Sequence, residues 1–152
     1  MIKRLLVEIV VPGLHRSVPI VRQCLKLTLT GTGHQGVDEA CLVVTELVTN
    51  SILHTRSARP GGVVVVELAE ISDGLSRIEV MDEGAGTVPR PRESDDDACH
   101  GRGLRLVEQV SARWGVYPGP LGGSVVWAEV FTASAVAAES LRAPFRTGEA
   151  GS

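Results

Sequence analysis

At 152 residues, 43% hydrophobic and 22% charged, the chain suits one soluble globular domain and is too short for two ordinary domains and a linker. Aromatic residues make up only 3%, so the core must be built from Val, Leu, Ile and Ala, and base-stacking platforms of the single-strand-binding kind are not expected. A formal charge of −3 argues against a nucleic-acid partner, which normally meets a basic face.

Ile2 to Val11 mixes Val, Ile and Leu with Lys3, Arg4 and Glu8 and reads as an opening strand, ended by Pro12 and Gly13. Ser17 is placed to cap a helix with apolar positions Val21, Cys24, Leu25 and Leu29, which Gly31 and Gly33 stop. A second helix starts near Gly36 and Asp38 and runs to about Thr55, with Val37, Ala40, Cys41, Val44, Val48 and Ile52 on one face. Val63 to Ala69 and Leu75 to Met81 read as a hairpin through the turn Ser72-Asp73-Gly74. From Glu83 to His100 there is no apolar periodicity, only Gly84, Gly86, Pro89, Pro91 and the acidic run Glu93, Asp95, Asp96 and Asp97, the pattern of a long mobile loop. Gly101 and Gly103 then precede a third helix carrying Leu104, Leu106, Val107 and Val110, followed by Trp114 to Tyr117 and a final strand, Ser124 to Phe131, after the turn at Gly122-Gly123. Residues 1–131 are expected to form the domain and 132–152 a partly disordered tail.

Cys24, Cys41 and Cys99 are odd in number and widely spaced, with no CxxC pair and no Cys/His cluster at zinc-ligand spacing, so they read as free thiols. No run approaches the ~18–20 apolar residues of a membrane span. Glu8 interrupts the first apolar stretch, and no small-residue cleavage site follows it. A cytoplasmic protein without a membrane partner is expected.

Three segments carry candidate chemistry. Glu46, Asn50 and His54 lie four apart and share one face of the second helix, where a carboxylate, an amide and an imidazole could wall a polar ligand; taken alone, the triplet equally suits a solvated face. Asp82-Glu83-Gly84-Ala85-Gly86 directly follows a strand, where Asp82 could accept from an exocyclic amine and the glycines admit a flat ligand; it is also a common turn. Gly101-Arg102-Gly103-Leu104 at a helix start offers backbone N–H groups suited to phosphate, or an ordinary loop-to-helix junction. Neither a GxxxxGK[ST] loop nor a GxSxG elbow is present.

In this order the segments resemble the N, G1 and G2 boxes of the ATPases related to histidine kinases, Hsp90-type chaperones, MutL and type II topoisomerases. Glu46-Leu47-Val48-Thr49-Asn50-Ser51-Ile52-Leu53-His54, with Arg113-Trp114-Gly115-Val116 and Val126-Trp127-Ala128-Glu129, further resembles the anti-sigma-factor serine/threonine kinases, over roughly residues 15 to 131.

The resemblance implies an α+β two-layer sandwich, a mixed and mostly antiparallel sheet with helices on one face. It implies that ATP and Mg²⁺ bind, with Asn50 as the metal ligand, Glu46 as general base or orienting group, and Asp82 on the adenine amine beside Gly84 and Gly86. Gly101, Arg102, Gly103 and Leu104 would meet the phosphates, His54 would make a phosphate-side or core contact, and residues about 87 to 100 would form a lid. It implies a homodimer that sequesters a sigma factor and phosphorylates an antagonist protein; the alternative is a noncatalytic ATP-sensing interaction module. One departure stands out: members often carry Thr just before the Val-Trp of the last strand, beside the adenine-binding Asp, and this chain has Val125. Ser124, one residue away, is expected on the opposite strand face and so not to substitute.

Overall fold

A computed structural model describes residues 3–54, 59–84 and 97–133. Their order is β1 (Arg4–Pro12), α1 (Ser17–Gly31), α2 (Val37–His54), β2 (Val63–Ser72), β3 (Leu75–Met81), α3 (Asp97–Val110), β4 (Arg113–Pro118) and β5 (Ser124–Phe131). The strands form one sheet in the order β1-β2-β3-β5-β4. Every pairing is antiparallel, so the mixed sheet expected from the resemblance is, among the described residues, purely antiparallel.

Alternation along the strands divides the sheet into two faces. Val64, Val66 and Leu68 of β2, Ile78 and Val80 of β3, and Ala128 and Val130 of β5 are buried in one core with α1 and α2. α1 contributes Val21, Leu25 and Leu29, and α2 contributes Ala40, Val43, Val44, Leu47, Val48 and Ile52. Burying a side chain of this size stabilises the fold by about 1.5–3 kcal/mol. That face explains why a sequence poor in aromatic residues folds: β-branched strands pack against helices whose apolar stripe is broad.

The other face carries cross-strand rows fixed by the register. Glu8, Glu67, Glu79, Trp127 and Gly115 form one row, and Leu5, Ala69, Arg77, Glu129 and Arg113 the next. Glu129 is only 1% exposed. Arg113 grips its carboxylate with two bonds, Nε to Oε2 at 2.7 Å and Nη2 to Oε1 at 2.9 Å, and Arg77 Nη1 reaches Oε1 at 3.4 Å. Arg77 also donates from Nε to Glu79 at 2.8 Å and lies 4.1 Å above the Trp127 ring, a cation–π stack.

At the end of the sheet where β5 stops, Thr132 is fully enclosed and clamps three segments. Its N–H donates to the Gly74 carbonyl at 2.8 Å, and its carbonyl accepts from Gln35 N–H at 2.6 Å. Its hydroxyl lies 2.7 Å from both His34 Nδ1 and Ser76 Oγ.

Several sequence expectations need correction. Ser17 is not the cap of α1: Arg16 holds that position with no side-chain bond, and Ser17 is the buried first helical residue. β1 and β2 run further than expected, to Pro12 and Ser72, because Pro12 pairs with Val63 of β2 and Ser72 with Leu75 of β3. Cys24 is half-buried and Cys41 buried, both as free thiols; burial, with Asp38 nearby, pushes the Cys41 thiol above its ordinary range. The tail from residue 134 lies outside the described residues.

Candidate functional site

Asp82 immediately follows β3 and is 5% exposed. Such a carboxylate must find hydrogen bonds to remain there. Its Oδ1 accepts from the backbone N–H of Gly84 at 2.8 Å and of Ser124 at 3.1 Å. Its own N–H donates to the Ser124 carbonyl at 3.0 Å, carrying the β3–β5 ladder one residue beyond the strand. Asp82 is thereby fixed in position at the sheet's end by backbone alone.

The surrounding glycines are required sterically. Gly84 has φ of +76°, and a Cβ there would come within 2.8 Å of the Gly122 carbonyl oxygen. A Cβ on Gly123 would overlap Asp82 Oδ1, the Asp82 carbonyl and the Gly84 nitrogen. The loop is therefore a knot of backbone closed around one carboxylate. Its neighbour Glu83 accepts from Val63 N–H through Oε2 at 2.8 Å, tying the same loop to the start of β2.

Register also reassigns the position beside Asp82. Val80 pairs with Val126 and Met81 with Val125, so the helix-facing side that carries Val80 and Val126 next carries Asp82 and Ser124. Val125 points to the other face, 1% exposed. The expectation that Ser124 lies on the wrong face is thus overturned.

Glu46 and Asn50 lie on α2 and are half-buried, at the edge of the stripe that packs on the sheet. His54 is the last residue of that helix. α2 contacts β2, β3 and β5 on one side and α3 on another, so this polar edge belongs to the layer above Asp82.

The third segment differs from expectation. α3 begins at Asp97, so Gly101, Arg102, Gly103 and Leu104 lie inside a helix and not before it. Their amides therefore belong to helical turns. The two glycines weaken that stretch by about 1 kcal/mol each relative to alanine. Gly86 and most of the expected lid, residues 85–96, lie outside the described residues, while 97–100 form the first turn of α3.

Ser124 and Gly123 are the residues that sequence reasoning missed. The pair Gly122-Gly123 signalled only a turn, because the carboxylate it encloses is far away in the chain.

The fold and site define a two-layer α+β domain with a buried acidic residue at a strand end and, in the helical layer that packs on the sheet, a helix carrying Glu46 and Asn50. The family model for the histidine kinase-like ATPase domain matches residues 11–128, and the chain belongs to that family. Membership implies ATP binding. No curated protein matches the chain. Among the described residues no cluster of His, Cys, Asp and Glu is arranged to hold a metal ion by itself, and no helix is long and apolar enough to cross a membrane.

Proposed function

We propose that the chain is a cytoplasmic regulatory serine/threonine protein kinase that binds ATP with Mg²⁺, holds a sigma factor and phosphorylates an antagonist of that complex. The observation that carries the nucleotide part is the geometry of Asp82: a buried carboxylate whose Oδ1 is occupied by two backbone donors, leaving Oδ2 to accept from an exocyclic amine. Gly84 and Gly123 let the backbone close tightly around that carboxylate and hold it in place.

Bound ATP would supply the phosphoryl group, and Mg²⁺ would neutralise charge on the phosphates, keeping several waters because the chain offers it few ligands. Asn50 would hold that cation through its amide oxygen. Glu46, one helical turn earlier, orients a protein hydroxyl and takes its proton. His54 lies another turn on; by the resemblance, Arg102 and Leu104 with Gly101 and Gly103 would meet the phosphates and Gly86 would border the base. The homodimer and both protein partners rest on the resemblance of Glu46 to His54 and of Arg113 to Glu129 to the anti-sigma-factor kinases.

One observation favours a second reading, a noncatalytic ATP-sensing interaction module. Because α3 is helical through Gly101 to Leu104, their amides are engaged in the helix and not presented to phosphate.

Calorimetric titration with ATP, with and without Mg²⁺, tests the site: saturable binding is expected for the wild type and none for Asp82→Asn. No saturation of the wild type up to millimolar ATP would end the nucleotide reading. Glu46→Ala separates the two functions, since the kinase reading expects ATP binding retained and transfer of labelled phosphate to the antagonist lost. A wild type that binds ATP and both partners but transfers nothing would establish the module.

A further inference from the structure

The end of β1 and the turn before β2 enclose a groove of about 520 Å³. Its walls include Val10, Pro12, Leu14 and Val63, with Arg16 and Arg59 at its edges. The floor is unusually open for apolar surface: Val10 is 58% and Leu14 37% exposed. The volume falls in the range of about 300–1,000 Å³ typical of ligand pockets.

Charge decides what kind of occupant fits. Arg16 and Arg59 are both exposed, and among the described residues neither has an ion-pair partner. On the sheet, by contrast, Arg4, Arg77 and Arg113 are all matched to glutamates. Two unmatched guanidinium groups flanking an apolar trough, on a chain of net charge −3, form a local reversal of sign. Guanidinium is the cation that recognises carboxylate through paired donors.

The groove also lies at the end of an edge strand, since β1 has only β2 as a neighbour. Extended segments dock well in such places, where backbone is accessible and alternate side chains can enter a pocket. A nucleic acid would require a longer basic track and stacking surfaces, and a membrane would meet a protruding apolar face more readily than a concave one.

We propose that this groove docks an acidic, extended peptide segment of a partner protein, with aliphatic or aromatic side chains against Val10, Leu14 and Val63 and carboxylates on Arg16 and Arg59. The assignment does not rest on the nucleotide reading, because it uses none of Glu46, Asn50 and Asp82; the groove's Val63 nevertheless donates its N–H to Glu83, next to Asp82.

The test uses the nucleotide-free full chain and a fluorescein-labelled peptide alternating aspartate with leucine and phenylalanine, followed by anisotropy. Saturable binding is expected, weakened at least about tenfold by Arg16→Glu, Arg59→Glu or Val10→Asp and by added salt. Circular dichroism of these variants, all at exposed positions, should match the wild type. The same peptide with lysine in place of every aspartate should not bind. Equal binding of the lysine peptide, indifference to all three substitutions, or no saturation up to about 1 mM would overturn the proposal. So would Arg16- and Arg59-dependent sedimentation with phosphatidylglycerol vesicles in the absence of peptide binding, which would assign the groove to anionic lipid.

Discussion

Asp82 and Ser124 are joined in both directions: the Asp82 N–H donates to the Ser124 carbonyl at 3.0 Å, and the Ser124 N–H donates to Asp82 Oδ1 at 3.1 Å. The position of the carboxylate therefore depends on how closely the backbone before Ser124 approaches it. Gly123 is the residue that permits this approach. Gly123→Ala should destabilise the protein by about 2–3 kcal/mol, as overpacking against backbone does, and should remove ATP binding with it. Urea denaturation gives the first quantity and calorimetry the second. A variant as stable as the wild type would show that the loop is looser than described.

The same register makes Val125 a packing residue of the outer face. Val125→Thr, the substitution that restores the residue usual in the resembling kinases, would bury a hydroxyl there and should cost about 1–2 kcal/mol without improving ATP affinity. Ser124→Ala retains the backbone bonds to Asp82 and removes only the hydroxyl on the helix-facing side. It should leave stability within about 0.5 kcal/mol of the wild type while weakening ATP. Measuring both affinities decides the matter: a gain from Val125→Thr would mean that the two faces are exchanged.

Local pattern was enough to read β3 and β5 to the residue, because alternation and the flanking turns at Asp73-Gly74 and Gly122-Gly123 are properties of short segments. It also placed α2 within a residue or so, since its apolar stripe is long. The start of α3 was not legible: Asp97 to Gly103 has no apolar period, and two glycines there read as punctuation although the helix passes through them. The partner of Asp82 was hidden for a different reason. Which face Ser124 occupies depends on the pairing of Met81 with Val125, which joins residues over 40 positions apart, and a likeness in linear order counts one residue off. The fully buried Glu129 was hidden in the same way, because its two arginines come from other strands.

Arg113 looks dispensable by exposure, with 61% of its side chain in solvent, yet it supplies both short bonds to the buried Glu129 carboxylate. Removing it leaves that carboxylate only Arg77 at 3.4 Å. Arg113→Ala should therefore cost about 2–3 kcal/mol, far above the ±0.5 kcal/mol usual at exposed positions. In an Arg113→Ala/Glu129→Gln double variant the buried charge is gone, and the loss attributable to Arg113 should shrink to below about 1 kcal/mol. Equal losses in both backgrounds would mean that Arg113 acts through packing and not through the carboxylate.

Glu8, Glu67 and Glu79 stand side by side across β1, β2 and β3, an arrangement in which like charges oppose one another. The pKa of Glu67 is raised above its ordinary 4.5, first by burial, then by a hydrogen bond shared with Glu8 and by the charge of Glu79, with Lys3 acting in the opposite direction. A carboxyl whose folded pKa is raised binds more protons in the folded state than in the unfolded one. Its contribution to stability is therefore greatest below the ordinary value and declines as pH rises through the raised one. At pH 7 the ionised Glu67 is a net cost, so Glu67→Gln should melt about 1–2 °C above the wild type there. The advantage should disappear as pH falls towards 4.5, where the wild-type side chain becomes protonated and resembles the amide. Melting curves of the two proteins from pH 4 to pH 8 read this as a difference, which cancels the titration of other carboxylates. A wild type more stable than Glu67→Gln at pH 7 would mean that Lys3 outweighs the burial and the two neighbouring glutamates.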